Sequence, residues 1–234
     1  MGKSGDNRSL WFRHFKSVLR LFVRKPKFVY LGKNMEGQQA FFLSNHVGAS
    51  APLILELYGH HPFRFWGTYE MNSSLKEVYK YLSNTYFHQK KHMNLFLARC
   101  LSIVAAPVLY LFYRGLNLIS TYPDARFRRT LRETLKTLRE RQSIVIFPEL
   151  SKNGYFDELK MFHAGFVLMA EKALKEGIDL PLYLAYYRKN EHRYIVDKPV
   201  MISELLRNNE PRKHIADRLC RRCNELGKMK LESA

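Results

Sequence analysis

Two short apolar runs, far apart in the chain, break off into polar residues at their C-terminal ends. The first is Gln39-Ala-Phe-Phe-Leu-Ser-Asn-His46 and the second is Ser143-Ile-Val-Ile-Phe-Pro-Glu149. Each reads as a buried strand that delivers its last residues to one end of a sheet. In an open α/β sheet, the loops at the C-terminal strand ends hold ligands. Asn45 and His46 are therefore placed at such an end, and Glu149 at the end of the second strand; the functional reading sets its carboxylate at the same sheet edge as His46. Pro148 lacks an N–H and fixes φ, so it stops the second ladder. A polar turn, Leu150-Ser151-Lys152-Asn153-Gly154, follows with a hydroxyl and a cation.

The remainder alternates strand-like runs with helical patterns. Further strands are expected at 28–31, 63–68, 116–119, 182–186 and 194–196. Helices are expected at 9–25, 53–58, 124–141, 162–175 and 211–226, from apolar residues recurring at helical spacing. Pro26, Gly177 and Gly227 read as helix stops. This alternation predicts an α/β fold: a mixed, partly parallel central sheet flanked by helices, with an N-terminal amphipathic helix. Residues 1–27 form a basic amphipathic membrane-surface helix in this reading, and 28–234 form one α/β domain. With apolar residues at 46% of the chain, a real core is within reach and bulk disorder is excluded.

Charge narrows the partners. Lys and Arg number 39 against 21 Asp and Glu, a net charge of +18. Such a surplus points to an anionic partner: nucleic acid, anionic lipid or a phosphorylated substrate. Trp11, Phe12, Phe15, Val18, Leu19 and Phe22 share one side of the first helix, with basic residues mostly between them. A helix of this kind either lies in a membrane interface or covers its own domain. The most apolar stretch, 93–113, is interrupted by Arg99 and falls short of the ~20 apolar residues of a bilayer span. It reads as a buried helix or one dipping into a single leaflet. Three cysteines are too few for a disulfide framework and suit a reducing compartment. No signal peptide or myristoylation pattern is expected at the start of the sequence.

Taken together, Ser-Asn-His46 after one strand and Phe-Pro-Glu149 after another resemble the glycerolipid acyltransferase superfamily, which includes the bacterial acylglycerol-3-phosphate acyltransferases. The resemblance spans roughly residues 28–205. It extends to 159–173, where Gly165 opens a helix of small and apolar residues, and to Leu180-Pro-Leu-Tyr-Leu-Ala-Tyr. The departures are specific. The family's first motif is His, four residues, then Asp; here Ala51 stands at the Asp position. The second motif continues as Gly-Thr-Arg in the family and as Leu150-Ser151-Lys152 here, keeping a hydroxyl and a cation. The intermediate block supplies Thr121 where the family has a phosphate-binding arginine, with Arg114, Arg126 or Arg128 as substitutes. Near the third strand, Glu70 is the single carry-over of a Lys-x-Glu-like element, since Thr68 replaces the lysine.

The resemblance implies an acyltransferase in which His46 takes a proton from an acceptor hydroxyl. The oxygen attacks a thioester, with acyl-CoA or acyl carrier protein as co-substrate and no cofactor or metal. Catalytic roles fall to His46 and Glu149. Substrate-binding roles fall to Asn45, Ser50, Glu70, Ser151, Lys152 and Arg126. The carboxylate that orients the imidazole is Glu149, Glu70 or Glu56 in this reading, with Ser50 a weaker holder, and Glu149 is favoured. The partners implied are anionic membrane lipid, an acyl-donor thioester and a lysophospholipid or glycerophosphate-type acceptor. The location implied is peripheral, on the cytoplasmic face of the membrane. A catalytically impaired lipid-binding relative is the first alternative. A nucleic-acid binder is the second, and it lacks any recognition signature. Cys220-Arg-Arg-Cys223 has metal-ligand spacing but no second pair, so it reads as part of a helix. His60, His61, His88 and His92 read as exposed.

Overall fold

The computed structural model describes residues 8–32, 38–48, 50–59, 63–149 and 158–230. Ser151, Lys152, His60 and His61 lie outside the described residues. The described residues form a mixed α/β fold around an eight-stranded sheet of order β1-β7-β6-β2-β5-β3-β4, with β8 pairing on β6. The strands are β1 (Lys27–Tyr30), β2 (Phe41–Ser44), β3 (Phe63–Thr68), β4 (Ile119–Thr121), β5 (Ser143–Ile146), β6 (Pro181–Arg188), β7 (Arg193–Val196) and β8 (Val200–Met201). β6, β2, β5, β3 and β4 run parallel, and β7 turns back antiparallel to β6 with β1 parallel to it. The two-residue β8 carries too little pattern to be foreseen. The strand expected at 116–119 begins only at Ile119, because the preceding helix runs through Leu116 and ends at Asn117 in the left-handed conformation (φ +48°).

Helices cover both faces. On one face Phe41, Leu43, Ile144, Ile146, Leu182 and Leu184 pack against α5 (Phe127–Arg139), α6 (Gly165–Lys175), α7 (Ile202–Leu206) and α8 (Arg212–Lys228). On the other, Phe42, Val145, Tyr183 and Ala185 pack with residues of α1 (Leu10–Phe22), α2 (Ser50–Tyr58) and α4 (Leu95–Leu116). The alternation of strand side chains produces this division. Gly177 stops α6 at φ +72° as expected. Gly227 does not stop α8, which continues to Lys228; a Cβ there would meet the Tyr186 ring at 2.9 Å, so close packing accounts for it. Between β3 and α4 lie a 3₁₀ turn (Tyr69–Asn72), α3 (Leu75–Lys80) and a π-helix (Tyr81–Lys90).

α1 carries apolar side chains on two sides: Phe12, Phe15 and Leu19 pack on the domain, while Leu10, Trp11, Val18, Leu21 and Phe22 are exposed. Two cations turn inward: Arg8, just before the helix, and Lys16 pair with the buried Glu56 of α2 at 2.8 and 3.0 Å. The Arg20 guanidinium donates to the Leu57 carbonyl at 2.7 Å. Phe12 is fully buried against Gly115 and Phe112 of α4. Several apolar side chains face outward, Leu21 and Phe22 being 80% and 81% exposed.

α4 continues that outward apolar surface. Its 22 residues reach about 33 Å at 1.5 Å per residue, enough to cross a bilayer's ~30 Å core. The helix is longer than the sequence reading has it and is largely exposed, so the buried alternative is corrected here. Arg99 is exposed and is accommodated within the helix, while Phe96 and Val104 are 78% and 74% exposed.

Candidate active site

β2 and β5 are neighbours in the sheet, with Phe41 beside Ile144 and Leu43 beside Ile146. That register brings the two motif ends to one edge. The His46 main-chain N–H donates to Glu149 Oε2 at 3.0 Å. The histidine ring lies edge-on to Phe147, centroids 4.8 Å apart, and Phe147 stacks on Phe65. This aromatic wall strips water from the imidazole. Desolvation, with a smaller push from the Lys90 charge, lowers its pKa to about 4 against backbone hydrogen bonds that raise it. His46 is therefore neutral at physiological pH, in the form that accepts a proton.

Glu149 is held where the ladder ends. It forms an isolated bridge with Phe162, and the carbonyl of Pro148 accepts the His163 N–H at 2.8 Å. This hydrogen bond reaches the main chain of His46, so the carboxylate braces the loop that carries the histidine.

The other expected site residues divide. Asn45 is 1% exposed, its Nδ2 donates to the Tyr187 carbonyl at 3.1 Å, and its Oδ1 accepts the Tyr187 N–H at 2.7 Å. Its amide extends the β2–β6 ladder and braces the strand end that carries His46. Glu56 is engaged with Arg8 and Lys16 and is removed from the candidates for orienting the imidazole. Ser50 opens α2 just beyond His46, its N–H donating to the Val47 carbonyl at 3.3 Å. Glu70 lies on the 3₁₀ turn after β3 and accepts the Thr68 hydroxyl. Burial, then the Glu70 charge, pushes the nearby Tyr81 phenol up to about 12. Arg126 is exposed, donates to Asp124 at 2.7 Å and stands 5.0 and 4.8 Å from the Tyr69 and Tyr122 ring centroids. Ala51, at the motif Asp position, is fully buried, and its carbonyl accepts the Tyr194 hydroxyl at 3.1 Å.

Lys90 escaped the sequence reading, which left the basic segment around it in solvent. His88 and His92 are indeed exposed, but Lys90 is half-buried. Its burial lowers the ammonium pKa and the Glu149 charge raises it, while its own charge acts on His46. The reason it was missed is local. In a π-helix the bonds run i→i+5, as from Lys91 N–H to the Tyr86 carbonyl, so a 3.6-residue wheel assigns the wrong face.

Cys220 and Cys223 are buried, with their thiols directed at the carbonyls of Leu159 and Ala185. No group of three or more potential metal ligands occurs among the described residues.

Strand order and edge define the class: an open, mostly parallel α/β sheet with its polar centre at the strand C-termini. No protein-family model and no curated protein matches the chain. Among solved structures, it is similar in fold to the 1-acyl-sn-glycerophosphate (LPA) acyltransferase PlsC from Thermotoga maritima. The TM-score is 0.52 at 13% identity, covering 95% of this chain and 91% of that one.

Proposed function

We propose that the chain is a membrane-associated acyltransferase that moves an acyl group from a thioester donor to a lysophospholipid or glycerophosphate-type hydroxyl. The observation that carries this reading is the meeting of His46 and Glu149 at one sheet edge, in a fold shared with a lysophosphatidate acyltransferase. The neutral imidazole takes the acceptor's hydroxyl proton. The oxygen attacks the thioester carbonyl, the C–S bond breaks, and the imidazolium returns the proton to the thiolate. Lys90 supplies positive charge at this edge, where oxyanion character develops. Ser50, Glu70 and Arg126 bind substrate in this reading, joined by Ser151 and Lys152 of the Phe-Pro-Glu loop. Acyl-CoA or acyl carrier protein is the donor.

Membrane association is supported by the exposed apolar side chains of α1 and the exposed apolar length of α4. An outward surface carrying Leu10, Trp11, Val18, Leu21 and Phe22 suits a hydrocarbon phase. The reading places the protein on the cytoplasmic membrane face.

Thioester cleavage with acyl-CoA and lysophosphatidate, measured for wild type and His46→Ala, tests the proposal. Turnover that the substitution abolishes supports it; equal rates refute it. The second reading, a lipid-binding relative with impaired catalysis, is favoured by Ala51. No carboxylate occupies the motif position, and a base of pKa about 4 is a weak proton acceptor. Vesicle binding without turnover identifies that case.

A further inference from the structure

A basic groove of about 360 Å³ lies just beyond the C-terminal tip of α1. Four of its lining residues are cations: Arg24 and Lys25 from the α1–β1 connection, Lys27 at the start of β1 and Arg193 at the start of β7. Glu191 is the one carboxylate, and it pairs with Arg188 at 3.0 Å and Arg193 at 3.4 Å. Arg24 and Lys25 make no ion pair among the described residues. Among the described residues the groove therefore carries a positive surplus, centred on Arg24 and Lys25.

Its position gives the surplus a purpose. β7 pairs with β6 so that Arg193 stands beside Arg188, and β1 pairs with β7 so that Lys27 stands beside Arg193. β6 in turn runs parallel to β2, with Ala185 beside Ser44. Arg188 is three residues beyond Ala185, so Arg193 and Lys27 sit at the same sheet edge as His46. Three strand spacings separate β1 from β2, about 14 Å at ~4.8 Å each. Hydrogen bonds tie the groove wall to the histidine's strand. Asn45 clamps the Tyr187 main chain, and the Tyr187 hydroxyl meets His192 Nδ1 at 2.9 Å. His192 Nε2 meets the Arg24 carbonyl at 2.6 Å, and that oxygen only accepts, so Nε2 carries the proton. Immediately before the groove in the chain, Leu21 and Phe22 project outward.

We infer that this groove seats the phosphate-bearing headgroup of an anionic phospholipid in the bilayer that receives Leu21 and Phe22, holding the membrane surface level with the edge that carries His46. The inference rests on the membrane reading above and adds the lipid class and its seat. Continuity with the exposed apolar tip of α1 selects a bilayer lipid as the occupant. Arg8, Lys16 and Arg20 are engaged internally, so the groove gathers most of the cations near the tip of α1 that are open to a headgroup. A second basic groove, of about 370 Å³, is lined by Arg128, Arg132, Arg139 and Lys172. It lies between α5 and α6, on the sheet face opposite α1 and α4, and cannot meet the same bilayer. This makes it an internal control.

The test is co-sedimentation of the full chain with phosphatidylcholine vesicles, with and without phosphatidylglycerol, at one ionic strength. Wild type is expected to favour the anionic vesicles. Arg24→Gln with Lys27→Gln should weaken binding to them by roughly 25-fold, at about fivefold per surface cation, and leave binding to phosphatidylcholine alone unchanged. Arg132→Gln with Lys172→Gln should change neither binding by more than about twofold, since α5 and α6 pack on the sheet face opposite α1 and α4 and surface charges are screened beyond a Debye length of ~8 Å. Equal losses in the two double variants, or a groove variant that keeps its preference for phosphatidylglycerol, overturn the inference while the membrane reading stands. Wild type that binds neither vesicle overturns both. All four substituted side chains are at the surface, and an unchanged thermal unfolding midpoint confirms folding in each variant.

Discussion

The Glu149 carboxylate takes the main-chain N–H of His46 at 3.0 Å, so the acid braces the loop bearing the base. Glutamine at 149 keeps an oxygen that accepts this bond, whereas alanine removes it. A hydrogen bond to a charged group contributes about 1.5–3 kcal/mol. In the acyltransferase reading, Glu149→Ala should lower kcat by about tenfold or more, with Glu149→Gln within about threefold of wild type. Equal collapse of both variants in a steady-state assay shows that the negative charge itself is required.

Burial against Phe147 gives the second expectation, which concerns pH. The His46 imidazole takes a proton only as pH falls through about 4, and its neutral form is the competent one. The kcat/KM profile should therefore stay level from neutral pH downward and fall near pH 4. A solvated histidine titrates near ~6.5. An acid limb at that higher value in a pH–rate series contradicts a desolvated ring.

Which parts of this arrangement the sequence discloses depends on how local their causes are. The run from Phe63 to Thr68 is a strand with the expected bounds, because its pattern and its ends lie within six residues. His46 and Glu149 were placed at strand ends for the same reason. Their meeting is expected from the two motifs sharing one sheet edge, while the pairing of β2 with β5 that produces it comes from the sheet order. The helical period of α1 shows two faces without saying which turns inward. That is decided by Glu56, far along the chain, which draws Arg8 and Lys16 toward the domain. Apolar composition likewise does not separate a core helix from an exposed one, and α4 is largely exposed. Asn45 has a polar side chain at a plausible site, yet its amide is engaged by Tyr187, a partner invisible to local pattern.

The seat of α1 yields a third expectation. Arg8, Glu56 and Lys16 form a buried charged cluster, and removing the one acid leaves two cations without it. Breaking such a cluster costs about 3–5 kcal/mol. Glu56→Ala should lower the thermal midpoint and expose the α1 segment to protease. Gly115→Ala approaches the same seat from α4, since its Cβ would overlap the Phe12 ring and force that side chain to move. Overpacking of this kind costs about 1–3 kcal/mol. Limited proteolysis that cuts neither variant faster than wild type shows that α1 docks by other contacts.

Ala51 gives the fourth expectation, and it separates the two functional readings. The resemblance aligns this position with the aspartate that orients the family's histidine, and here the residue is fully buried. A carboxylate at 51 enters low dielectric, where desolvation opposes its charge unless an imidazolium pairs with it. Ala51→Asp should therefore raise the His46 pKa, move the acid limb of the rate profile upward from about 4, and cost some stability. A more basic imidazole is a better proton acceptor, and its conjugate acid is held by the new charge. Where a carboxylate partner of a catalytic histidine is lost, rates fall by about 10⁴, so restoring one should raise turnover by at least about tenfold. A higher rate marks His46 as a working base handicapped by its surroundings. Destabilisation with no gain in turnover instead favours the lipid-binding reading, in which the site keeps the fold's histidine without its chemistry.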